Sequence, residues 1–134
     1  MLNHVNMKPE KEVEKEILSY APLYGFDLTV VDSANVFSHS TKKFTRRMTS
    51  EVCSDLIGNN GHYACFIELK AKGKLSQFNT PKNIKQKMFI MRKIQSGSFA
   101  CVVDSMHRLM HIWKLWSEAP TQEEKIKTLF SLLP

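Results

Sequence analysis

SEVCSDLIGNNGHYACFIELKAKGK, residues 50–74, is the stretch from which the rest of the chain can be read. VCSDLIG and HYACFIELK are two runs rich in aliphatic, β-branched and aromatic residues, with Asn60-Gly61 between them. Runs of that kind form strands. Asn-Gly is a strong two-residue hairpin signal, because a type I′ turn needs positive φ at both central positions. With Asn60 and Gly61 as the turn, Asn59 faces His62, Asp55 faces Phe66 and Cys53 faces Glu68. Asp55 is then a diagonal neighbour of Glu68 on one face, with backbones roughly 7–8 Å apart. A one-residue slip in register would separate the two carboxylates.

Outward from the hairpin, the periodicity changes. KPEKEVEKEILSYAPLY (8–24) places Val13, Ile17, Leu18 and Ala21 on one helical face, and Pro22 and Gly25 end it. FDLTVVD (26–32) reads as a strand. Residues 33–51 are polar and basic and read as a long loop, with room for a short strand near 44–48. After a loop over 71–80, PKNIKQKMFIMRKIQS (81–96) fits a helix between Pro81 and Gly97, with Ile84, Met88, Met91 and Ile94 or Gln95 on its buried side. SFACVVD (98–104) is a buried strand. Met106, Leu109, Met110, Trp113 and Trp116 then fall at helical spacing, and Thr121 with Glu124 forms a capping box that opens a last apolar helix. The expected order is α-β-β-β-α-β-α-α: one α/β domain spanning 1–134, with a mixed sheet flanked by helices and a helical extension over 105–134.

Composition narrows the class. At 43% hydrophobic and 24% charged, the chain is globular in character. No apolar run is long enough to span a membrane, and the N-terminus lacks the pattern of a signal peptide, so a cytoplasmic setting, in a bacterial cell or an infected host, is expected. The net charge of +6 suits a polyanion, although solvated surface charge explains it equally simply. Cys53, Cys65 and Cys101 lack zinc or disulfide spacing and read as small buried hydrophobes. His39, His62, His107 and His111 form no metal pattern.

Glu68 and Lys70 are two apart in a strand and so share a face, while Ile67 and Leu69 point to the other. A carboxylate and an ammonium among such residues are costly unless paired or used. An exposed Glu68–Lys70 ion pair is the plain alternative. With Asp55 alongside, the two carboxylates, the Leu69 backbone carbonyl and waters would make an oxygen-rich site for Mg²⁺, with Mn²⁺ able to substitute. Lys70 would orient an attacking water or stabilise a charged transition state.

These residues resemble the PD-(D/E)XK nuclease core. Ser54-Asp55-Leu56-Ile57-Gly58 and Ile67-Glu68-Leu69-Lys70 are similar to the paired motifs of VRR-Nuc domains, and a second likeness is to phage and Gram-positive Holliday junction resolvases. The resemblance covers roughly residues 10–110. It implies a restriction-endonuclease-like core, Glu12 as the acid of the N-terminal helix (Glu16 shares its face) and Gln86 as a site residue. Ser54 stands where the family usually has Pro. The resemblance also implies a homodimeric, Mg²⁺-dependent DNA endonuclease acting on branched or duplex DNA, with no small-molecule cofactor and no membrane. Lys42, Lys43, Arg46, Arg47, Lys72 and Lys74 are candidate phosphate contacts. Ile126, Leu129, Phe130 and Leu133 are a candidate dimer surface, unless they pack on their own domain. A nuclease for DNA ends or RNA, and a binding module that does not cut, are the competing functions.

Overall fold

The computed structural model describes residues 8–31 and 53–134, with the backbone alone of two short strands between them. Helix α1 (Pro9–Tyr20) starts on a proline with Glu10 and Glu12 in its first turn, where carboxylates suit the helix dipole. Val13 and Ile17 are its buried residues. A 3₁₀ turn, Ala21–Tyr24, continues it and stops at Gly25, whose φ of 91° is left-handed.

Strand β1 (Phe26–Val30) follows, then β2 (Val36–Ser38) and β3 (Lys43–Thr45), which pair with each other antiparallel. The expected loop over 33–51 therefore contains a two-stranded ribbon. Lys42, Arg46 and Arg47 lie outside the described residues, and Lys43 is described by its backbone only. Strands β4 (Leu56–Asn60) and β5 (Tyr63–Leu69) form the central hairpin, and helix α2 (Ile84–Gln95) carries the chain to β6 (Phe99–Val103). The four-stranded sheet runs β1-β4-β5-β6, antiparallel except for the parallel β5–β6 pair. This is a mixed sheet with helices on its faces.

The hairpin turn corrects the sequence expectation. Asn60 pairs with Tyr63, so Gly61 and His62 make the turn. Asn60 stays in the strand because its Nδ2 donates to the Tyr24 carbonyl at 3.1 Å, tying β4 to the turn before β1. Shifting the turn by one position moves every partner by two residues. Two is the side-chain period of a strand, so the faces survive. Leu56 now pairs with Ile67, which brings Asp55 directly opposite Glu68 instead of diagonal to it.

One sheet face carries Cys65, Ile67, Leu69 and Phe99, all buried, against α1 and helix α3 (Met106–Glu118). Trp113 meets Phe26 and Phe99 edge-on at ring separations of 5.0 and 4.9 Å, and Trp116 meets the exposed Tyr63 at 4.7 Å, so Phe26, Phe99 and Trp116 are core and Trp113 packs against it. The other face carries Phe66 and Glu68 beneath α2, where the Phe66 and Phe89 rings lie 5.7 Å apart.

Helix α2 buries Phe89, Ile90 and Ile94. Of the expected buried side, Ile94 is buried, but Ile84, Met88 and Met91 face outward, at 53%, 53% and 38% exposure. Both sets fit helical spacing, and it is the position of α2 over β5 that chooses between them. Helix α4 (Gln122–Ser131) is capped by Thr121, whose Oγ1 accepts from the Glu124 amide at 3.1 Å. It touches both α2 and α3 and so closes the β6 edge. Leu129 is buried, and Ile126, Phe130 and Leu133 pack against the core, so this apolar side is an internal contact and not an open surface for a second copy.

Candidate active site

The end of the hairpin remote from its turn collects the polar residues. Asp55 immediately precedes β4, Glu68 is the penultimate residue of β5, and Lys70 directly follows β5. Ser54 is buried and donates from Oγ to the Leu56 carbonyl at 2.9 Å, shaping the entry to β4. Asp55 Oδ2 accepts from the Leu69 amide at 2.8 Å. The amide and carbonyl of one strand residue point to the same neighbouring strand. The Leu69 carbonyl therefore opens on the Asp55 side as well.

Glu68 and Lys70 are 4% and 7% exposed, and Lys70 Nζ lies 3.7 Å from Glu68 Oε2. This removes the plain alternative of a solvated surface ion pair, because both charges are inside. Glu68 Oε1 is buried with no hydrogen-bond partner among the described residues. Burial first, and then the Asp55 carboxylate, push the Glu68 carboxyl up to about 8, against the opposing pull of Lys70. Burial also raises Asp55, while the Leu69 amide and Lys70 pull it down. Of the two carboxyls, Glu68 is the more deeply buried, so its protonated form is the more strongly favoured.

Gln86 stands on α2 one turn before Phe89. The helix runs antiparallel to β5 in this β5–α2–β6 crossover, so Gln86 lies toward the Glu68 level from the Phe66–Phe89 contact. Its Oε1 is the other buried oxygen without a partner. On the N-terminal helix, Glu10 and Glu14, rather than the expected Glu12, are the acids whose charge reaches Asp55. Partial burial and then the Asp55 carboxylate raise the Glu10 carboxyl, and Glu14 in turn acts on Asp55. Glu10 and Glu14 are one turn apart and flank buried Val13. Glu10 and Glu12 are both exposed, and Glu12 lies on the far side of the helix from Val13 and Ile17. Glu16 is used elsewhere, accepting from the Met106 amide at 2.6 Å at the start of α3 and pairing with Lys72 at 3.3 Å. The signal for Glu10 was present in the sequence: Val13 and Ile17 fix the inward face, and Glu10 is on it.

Lys72 and Lys74 are exposed on the loop after β5, which is held by the Gly73 amide donating to Asp104 at 3.0 Å. Among the described residues no group of three His, Cys, Asp or Glu side chains is arranged to hold a metal ion by itself. The donors present are two facing carboxylates and a peptide carbonyl. Such a set suits a cation like Mg²⁺, which keeps several of its waters. No helix among the described residues is long and apolar enough to cross a membrane. No family model, curated protein or solved structure matches the chain.

Proposed function

We propose that this protein is a Mg²⁺-dependent nuclease whose reacting groups are Asp55, Glu68 and Lys70, with Glu10 and Gln86 at the margin of the site. The observation that carries this reading is the buried Glu68 Oε1, without a donor and on the residue opposite Asp55. Once Glu68 is ionised, two carboxylates and one ammonium in a low-dielectric pocket leave one negative charge uncompensated. A divalent cation compensates it, and the resemblance of the two motifs to the PD-(D/E)XK core points the same way.

Asp55 and Glu68 would hold Mg²⁺ or Mn²⁺ together with the Leu69 carbonyl. The chemistry such an ion supplies is acidification of water and neutralisation of charge gathering on the phosphate. Asp55 is fixed for this by the Leu69 amide, and Glu68 by the strand that buries it. Lys70 holds its ammonium beside the same face, where it orients the attacking water or stabilises the pentavalent phosphate. The water oxygen bonds to phosphorus and gives up a proton to solvent, the P–O ester bond breaks, and the leaving oxygen takes up a proton from solvent to become a hydroxyl. DNA as substrate, a preference for branched DNA such as a four-way junction, and a homodimeric state rest on the resemblance.

Purified protein is incubated with linear duplex, nicked duplex and a four-way junction, in Mg²⁺, Mn²⁺ or EDTA. Metal-dependent cleavage that disappears in folded Asp55→Ala and Glu68→Ala is the expected result. Symmetric cuts across the junction would identify a resolvase. Binding without cleavage in every metal would leave a nucleic-acid-binding module and end the nuclease reading.

A further inference from the structure

Helix α2 presents its apolar residues to solvent. Ile84, Met88 and Met91 are exposed, and at 3.6 residues per turn they fall within about 60° of arc and about 10 Å of helix length. They occupy the crest of the helix, on the side away from Phe89, Ile90 and Ile94. The charge along the segment that carries this helix is of one sign. From Ala71 to Val103 the chain contains Lys72, Lys74, Lys82, Lys85, Lys87, Arg92 and Lys93 and no Asp or Glu. Four of these are engaged: Lys72 pairs with Glu16 at 3.3 Å, Lys87 donates to Asn79 at 2.8 Å, Lys93 lies over the Phe66 ring at 4.9 Å, and Arg92 lies over the Phe89 ring at 5.9 Å. Lys82, Lys85 and Arg92 form no ion pair among the described residues.

We infer that the outer face of α2 docks an acidic amphipathic helix of a partner protein, independently of what the Asp55–Glu68 site does. Anchors at i, i+4 and i+7 are the spacing that helix-on-helix recognition uses, and methionines suit an adaptable contact. Charge complementarity selects the occupant. A second copy packed on this face would set Lys82, Lys85 and Arg92 against their own like charges. Nucleic acid would meet the cations but leave three large aliphatic side chains uncovered, and the crest has no aromatic ring on which a base could stack. An acidic amphipathic helix satisfies both the crest and its basic flank.

The test is fluorescence anisotropy of the full chain with a labelled synthetic helix of about 15 residues. Its face carries leucines at i, i+4 and i+7 with glutamates on either side. A second peptide replaces each glutamate by glutamine, and a third replaces each by lysine. Saturable binding of the acidic peptide is expected, weakened at least about tenfold in the glutamine peptide and in Met88→Asp. Lys85→Glu combined with Arg92→Glu should transfer the preference to the lysine peptide. Thermal melts check that each variant is folded, and because all three positions are on the surface they should tolerate the change. No saturable binding, or equal binding of acidic and glutamine peptides, overturns the inference. A dimer in sedimentation that Met88→Asp dissolves assigns the face to a second copy, and duplex binding abolished by Met88→Asp assigns it to nucleic acid. Either result also overturns it.

Discussion

Glu68 is a carboxyl on a strand whose neighbours Ile67 and Leu69 are fully buried hydrocarbon, and that position makes its proton a measurable quantity. Its pKa rises in the folded chain from the usual 4.5 to about 8, and Asp55 is raised too. The folded state therefore binds more protons than the unfolded state through that interval. Stability is greatest below pH 4.5 on account of this group and falls as pH rises toward about 8, by on the order of 1 kcal/mol per pH unit. Thermal melts of metal-free protein between pH 5 and 8 should show the fall, and Glu68→Gln should flatten it. Added Mg²⁺ binds the ionised form, so it should raise the melting temperature more at pH 8 than at pH 5, and EDTA should reverse the gain. An unchanged slope in Glu68→Gln would place the titration elsewhere. In cleavage assays Asp55→Asn, Glu68→Gln and Lys70→Ala should each lose at least about 100-fold in rate while remaining folded. Asp55, Glu68 and Lys70 were legible in the sequence because strand alternation fixes faces whichever of two adjacent turns the hairpin uses. Glu10 was less legible, because motif spacing points to Glu12 and only the inward face set by Val13 and Ile17 turns Glu10 toward Asp55.

At the scale of the element, β4 carries a constraint that periodicity does not reveal. A Cβ on Gly58 would lie 1.8 Å from the Asp27 carbonyl oxygen, a backbone atom of the neighbouring strand. Gly58 is paired in register with Leu28 on one side and Cys65 on the other, so neither strand can step aside without breaking a ladder. Gly58→Ala should destabilise by about 1–3 kcal/mol, in the range of overpacking, and Gly58→Val by more. Urea denaturation measures this, and a variant as stable as the parent would mean that β1 yields easily. The strands themselves were readable, since alternating apolar runs bounded by Asn-Gly leave little else to form. The face of α2 was not. Its sequence carries apolar residues on two sides, and local spacing weights Ile84, Met88 and Met91 as heavily as Phe89, Ile90 and Ile94. The side turned inward follows from the crossover between β5 and β6, a relation between elements far apart in the chain. The β2–β3 ribbon was legible only as the short strand expected near 44–48, which overlaps β3, because three-residue strands are too short to show a period.

For the whole molecule, the last helix determines whether the apolar C-terminus is a core or an interface. Leu129 is 2% exposed, and α4 lies against α2, α3 and β6 together. Arg108 adds a polar tie, donating from Nε to the Val102 carbonyl at 2.9 Å and from Nη2 to the Leu132 carbonyl at 2.6 Å, so one guanidinium joins β6 to the chain end. The two readings of α4 make different predictions. If the helix belongs to its own domain, Leu129→Ala opens a cavity inside one chain and should cost about 2–5 kcal/mol at any protein concentration. If it were a dimer surface, the loss would shrink as concentration rises, because association and folding would be linked by mass action. Urea midpoints for parent and Leu129→Ala, measured over a wide range of protein concentration, separate the cases. The geometry requires a constant difference between the two midpoints. A difference that narrows with concentration would move α4 from the core to an interface.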